Sequence, residues 1–129
     1  MENNKEFFIE VNMNIKVTAE DIDDIMCSAL EGGITYWCNK AEVVGDYLGK
    51  YASEQIARNG TLKLYDAEED EVYELTLEKL LKGIRLAVQG NYYADYDWHD
   101  GTTLDPCQID AEVADVIIQL ALFDDVIYG

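Results

Sequence analysis

Residues 18–45, TAEDIDDIMCSALEGGITYWCNKAEVVG, decide how the rest of the chain is read. Apolar side chains recur at Ile22, Ile25, Met26, Ala29 and Leu30, a stripe at i, i+3, i+4, i+7 and i+8 that predicts one buried helical face. Thr18, followed three residues on by Asp21, supplies a start signal. Glu20, Asp23 and Asp24 add negative charge where the helix dipole favours it. The same phase runs past Gly32 and Gly33 into Ile34, Trp37, Cys38 and Ala41. Either one long helix passes through the glycine pair with Gly33 on its inner face, or two helices meet there at a bend. The pair can serve as a C-cap and turn, or as bare backbone that lets another helix or a ligand come close.

Around this scaffold the chain is 129 residues long, enough for one domain with its own core. A hydrophobic content of 49% and nine tyrosines argue for packing rather than disorder. Charge is the outlier: 27 Asp and Glu stand against 9 Lys and Arg, a formal net of −18. Small soluble domains usually carry a magnitude of about 2–8. Such a field repels nucleic acid and anionic membrane, and it attracts basic surfaces, including those evolved to hold nucleic acid. Solubility alone is the competing explanation. The opening MENNKEFFIE has early acids and no export-signal pattern, and no run reaches the ~20 apolar residues of a membrane span. Cys27, Cys38 and Cys107 are odd in number and widely spaced, which fits reduced, buried thiols in a cytoplasmic protein.

Along the chain, residues 6–16 (EFFIEVNMNIK) alternate Ile9, Val11, Met13 and Ile15 with Glu10, Asn12, Asn14 and Lys16, predicting a half-buried strand. Residues 42–50 read as an irregular connection, and Ser53 as the cap of a short helix that stops at Asn59-Gly60. Strands at 61–65 and 72–76 flank DAEEDE, a hairpin with an acidic connection. Thr76 caps a helix whose inner face is Leu77, Leu80, Leu81, Ile84 and Val88, ending at Gly90. A long loop at 91–108 precedes a last helix capped by Asp110. That helix is apolar over so wide an arc that it must pack between elements or against a second copy. Residues 123–128 suggest a short closing strand. The fold class is α+β: one domain, 1–129, with a small, mainly antiparallel sheet packed by three to four helices.

The charge is also unevenly spread. No Lys or Arg follows Arg85, while nine acids lie in the last 44 residues. With the hairpin acids these form one candidate partner-binding set. Its members are Asp66, Glu68, Glu69, Asp70 and Glu71 from the hairpin, and Tyr92, Tyr93, Asp95, Tyr96, Asp97, Trp98 and Asp100 from the loop. Aromatic rings beside carboxylates suit an arginine-rich partner.

Catalytic patterns are weak. Asp95, Asp97 and Asp100 miss the calcium-loop register, because Asp100 stands where glycine is needed; in 66–71 the same position is Glu71. Cys27, Cys38, His99 and Cys107 lack paired zinc spacing. His99 and Cys107 have no nucleophile motif around them, and no phosphate-binding glycine loop is present. No cofactor, metal or catalytic residue is predicted, and an enzyme is the weaker class.

The ALEGGITYWC core (29–38), the VVGDYLG segment (43–49) and TLKLYD (61–66) resemble a group of small acidic proteins carried by bacterial prophages, plasmids and integrative elements. The resemblance runs from about residue 17 onward and is least at 91–108. It implies context and no catalytic residue. In charge and size such proteins are similar to inhibitors of restriction or CRISPR enzymes, where an acidic domain takes the place of nucleic acid in a basic channel. The expectation is therefore a non-enzymatic inhibitor of the anti-CRISPR or antirestriction type, acting in the bacterial cytoplasm without binding nucleic acid or membrane. The alternative is a homodimeric structural or adaptor domain joined through residues 110–122.

Overall fold

The computed structural model describes residues 4–129; residues 1–3, part of the stretch examined for an export signal, lie outside it. The first helix, α1 (Ala19–Ser28), starts where Thr18 and Asp21 cap each other. Thr18 Oγ1 accepts the Asp21 N–H, and the Asp21 carboxylate accepts the Thr18 N–H, both at 3.0 Å. A π-helical turn, Ala29–Gly33, continues it. A Cβ on buried Gly33 would stand 2.6 Å from the Ala111 carbonyl oxygen, so this glycine admits the start of another helix.

Neither helical reading of the following residues holds. The Ile34 carbonyl accepts the N–H groups of Trp37 and Cys38 at 3.0 and 2.8 Å, turning the chain into strand β1 (Cys38–Val43). Ile34, Trp37 and Cys38 are buried as expected, but a tight turn brings them inward. Glu42 and Val43 thus belong to β1 rather than to an irregular connection. The predicted hairpin forms as β2 (Leu62–Asp66) and β3 (Val72–Leu75), giving an antiparallel sheet in the order β1-β2-β3. In place of a helix at 53–58 there are two 3-10 turns, Ala52–Glu54 and Ile56–Arg58. Glu54, not Ser53, takes the free N–H groups there, those of Lys50 and Tyr51.

Helix α2 (Leu77–Gln89) begins at Thr76, whose hydroxyl accepts the Lys79 N–H at 3.3 Å. Its buried face is Leu80, Gly83, Ile84 and Ala87, whereas Leu81, expected inside, is 41% exposed. Helix α3 (Ala111–Phe123) is capped by Asp110, which accepts the Val113 N–H at 2.9 Å. From Val113 to Ala121 every residue but Asp115 is buried, so its wide apolar arc is covered within the chain. The expected strand at 123–128 is absent: Asp124 turns left-handed at φ 57° and the tail folds back so that Tyr128 reaches Trp37 and Asp66.

Two other expectations fail. Residues 6–15 form no strand, and Phe7, Phe8 and Ile9 are 85–88% exposed. Trp98 is a core residue at 1% exposure. Its indole donates to the Tyr92 carbonyl at 2.9 Å, and its own carbonyl accepts the Asp105 N–H at 2.9 Å. The loop is therefore folded around it.

Helices α2 and α3 meet at Gly83, where an added Cβ would overlap the Ile117 carbonyl oxygen and lie 2.9 Å from the Ala121 Cβ. In an open helix Gly→Ala gains about 1 kcal/mol, but overpacking costs about 1–3 kcal/mol. Gly83→Ala is accordingly expected to destabilise the protein in urea titration; a raised midpoint would mean that the helices are not held this close.

Candidate functional site

The polar organisation of the molecule centres on α3. In a helix otherwise apolar, Glu112, Asp115 and Gln119 are spaced to share one face. Asp115 Oδ1 accepts the Trp37 indole N–H at 2.8 Å and the Gln119 amide at 2.9 Å, while Oδ2 accepts the Tyr36 hydroxyl at 2.6 Å. Gln119, fully buried, also accepts the N–H groups of Ile127 and Tyr128 at 2.8 Å, which fixes the tail. The Tyr128 ring then stacks on Trp37, with centroids 4.9 Å apart.

Asp66 completes the network from the sheet. Its Oδ1 accepts the N–H groups of Glu68 and Glu69 at 2.9 and 3.0 Å, closing the acidic hairpin, and its Oδ2 accepts the Tyr128 hydroxyl. At 7% exposure Asp66 is structural and does not belong to the accessible part of the predicted set. The Tyr128 and backbone hydrogen bonds hold its carboxyl below the usual range, and the same bond raises the Tyr128 phenol.

Two grooves open along this network. One, of about 550 Å³, is lined by Tyr36, Tyr93, Glu112, Asp115 and Tyr128 among others. The second, of about 200 Å³, is lined by Tyr36, Trp37, Asp66, Glu68 and Tyr128. They share Tyr36 and Tyr128, so the foot of the hairpin and the start of the loop sit at the two ends of one surface. No Lys or Arg lines either groove. Burial and the Asp115 carboxylate push the Tyr36 phenol up to about 12. Burial and Glu112 raise Tyr93, and the Glu112 charge raises Tyr96, which stacks at a tilt on Tyr93 with centroids 4.9 Å apart.

The predicted residues divide accordingly. Glu68, Glu69, Asp70 and Glu71 are exposed at the hairpin tip; Tyr93 and Tyr96 are half-buried beside Glu112; Asp95 and Asp97 are exposed next to them in the chain. Tyr92 and Trp98 serve packing. Asp100 accepts the N–H groups of Thr102 and Thr103 at 2.8 Å, which pull its carboxyl down, and it closes a turn beside Met13, away from the two grooves. Sequence reasoning missed Tyr36, Glu112, Asp115 and Tyr128. The polar spacing within α3 was the available signal.

Nothing in this surface assembles a nucleophile. Both Asp115 oxygens are already engaged. His99 Nδ1 accepts the Gly101 N–H at 3.2 Å within its own turn. Burial pushes the Cys27 and Cys38 thiols up, toward the inert form, whereas Cys107 is exposed, contrary to the expectation of buried thiols. Among the described residues, no group of three or more His, Cys, Asp or Glu is placed to hold a metal, and no helix is long and apolar enough to cross a membrane. Comparison of the chain with protein-family models, curated proteins and solved structures finds no match.

Two outcomes test this network. Gln119→Leu strands the two tail N–H groups and should cost about 2–4 kcal/mol, with faster hydrogen exchange at Ile127 and Tyr128; unchanged stability would contradict the network. The second concerns alkaline pH. A phenol raised from 10.0 to about 12 on folding binds its proton more tightly in the folded state. Its contribution is complete below pH 10 and disappears as pH rises through 12. Tyr36→Phe should remove one late-ionising phenol from an absorbance titration in which Tyr93, Tyr96 and Tyr128 also ionise late, and reduce the loss of stability over that window.

Proposed function

We propose that this chain is a non-enzymatic binding protein whose acidic, tyrosine-lined face docks on a basic cleft of a nucleic-acid-handling enzyme. In that reading it occupies the place of nucleic acid in a defence nuclease of the restriction or CRISPR type, inside the bacterial cell. The observation that carries the proposal is the cation-free surface running from Glu68 through Tyr36 and Tyr128 to Tyr93 and Glu112. Among the described residues only three ion pairs form, Lys40–Glu42, Arg58–Asp23 and Lys82–Asp124, and none lies on it. Carboxylates without counter-charges raise the local concentration of a cationic partner, and tyrosine faces receive guanidinium groups. Direct nucleic-acid binding is opposed by the same field.

A homodimer through residues 110–122 is the second reading. The burial of Val113, Val116, Ile117, Ile118 and Leu120 leaves that helix little apolar surface to offer.

The test begins with the purified protein as bait in a bacterial lysate containing restriction and CRISPR effectors. The expected result is capture of a nucleic-acid enzyme, released by raised salt or by competing DNA. Reversing Glu68, Glu69, Asp70 and Glu71 to lysine should then slow association at least ~10-fold at low salt. Tyr93→Ala should weaken the complex by about 1–2 kcal/mol. An association rate indifferent to the reversal refutes the proposal.

A further inference from the structure

The N-terminal arm is a strand by pattern and an orphan by structure. Phe7, Ile9, Val11, Met13 and Ile15 alternate with polar residues and Phe8, and Phe7, Ile9 and Val11 are 71–86% exposed. Among the described residues, the backbone groups of 4–15 enter no ladder; the first backbone hydrogen bond is at Lys16, whose N–H donates to the Thr102 carbonyl at 2.8 Å. A ribbon of backbone donors and acceptors with this composition is a template for another strand. We propose that the missing strand is the same arm of a second copy, paired antiparallel about a two-fold axis at Val11.

Three observations select this occupant. First, the arm is self-complementary in that register. Val11 faces Val11, Ile9 faces Met13, Phe7 faces Ile15, and Glu6 faces Lys16, so that every odd residue from Phe7 to Ile15 lies on one apolar face. A shift by two residues, centring on Glu10, would oppose two glutamates. Second, the arm from Lys5 to Lys16 holds two lysines and two glutamates and is formally neutral, whereas the −18 lies in the rest of the chain. Two copies can meet here without bringing their acidic faces together. Third, the ribbon has a support. Val11, Met13 and Ile15 line a groove of about 420 Å³ with Leu81, Ile84 and Val88 of α2, and Leu81 is 41% exposed. A two-stranded ribbon alone is marginal; laid over α2 it has an apolar floor.

The arm groove shares no lining residue with the two acidic grooves, so this inference stands apart from the proposed function. The two also answer salt in opposite senses. Docking on a basic partner weakens with salt, while arm pairing between two acidic bodies strengthens, because their mutual repulsion is screened.

Sedimentation velocity of the full chain should show a concentration-dependent dimer. Val11→Lys, which places two ammonium groups opposite each other, should weaken it at least ~100-fold, with the circular dichroism and thermal midpoint of the body unchanged. Glu6→Lys should weaken it and the swap Glu6→Lys with Lys16→Glu restore it. In a Cys107→Ser background, which removes the exposed thiol, Val11→Cys should form a disulfide dimer readily, since opposed strand residues lie ~4.5–5.5 Å apart. Asn14→Cys should not, because the two copies would be ~20 Å apart. A protein that stays monomeric at millimolar concentration overturns the proposal. So does a dimer indifferent to Val11→Lys, or equal cross-linking at positions 11 and 14, as pairing with a sheet edge would give.

Discussion

One carboxylate joins parts of this molecule that lie far apart in sequence. Asp115 on α3 accepts the Trp37 indole at 2.8 Å and the Tyr36 hydroxyl at 2.6 Å, bonds across 78 and 79 positions of chain. Both groups sit in the turn between the π-helical end of α1 and the sheet. Gln119, one helical turn on, carries the link to the tail, and Tyr128 carries it to Asp66 and the hairpin. A partly satisfied network of this kind would be worse than an apolar core, since each stranded polar atom costs about 1–3 kcal/mol. Here the account closes: among the described residues, no buried side-chain nitrogen or oxygen lacks a partner.

This network explains why the surface is where it is. Tyr36, Asp115 and Tyr128 are held by packing and hydrogen bonds and at the same time line the grooves. Their positions are set within the chain, which would reduce the ordering cost of the proposed docking. The acids at the hairpin tip are aimed by Asp66, whose Oδ1 fixes the turn that presents them. Burying Asp66 therefore removes it from contact while giving it control over Glu68 and Glu69.

Local signals in the sequence were legible and distant ones were not. The caps at Thr18, Thr76 and Asp110 and the hairpin turn depend on neighbours within a few residues, and each formed. Ile34, Trp37 and Cys38 carry a helical phase, yet a turn satisfies the same burial, because spacing encodes which side chains go inward and not the path between them. Trp98 looked like an exposed aromatic in a polar loop. Its partner is a backbone carbonyl six residues away, which composition does not reveal. The Asp115 network joins residues nearly 80 positions apart, and only the i, i+3, i+7 polar row in α3 hinted at it.

The strand expected at residues 6–16 failed for a different reason. Its alternation is real, but alternation specifies a face and leaves the partner edge open. Among the described residues the arm joins neither edge of the sheet, β1 or β3, and lies instead beside the turn at Gly101–Thr103 and α2. A sequence that keeps strand periodicity, exposes it, and strips it of net charge in a protein of −18 has a local pattern at odds with its own monomer. Pairing between copies removes that conflict with no change in the body. It would also place two acidic faces on one particle, each free of the arm groove, so that a partner with two basic sites would be held by both at an effective concentration set by the spacing of the faces.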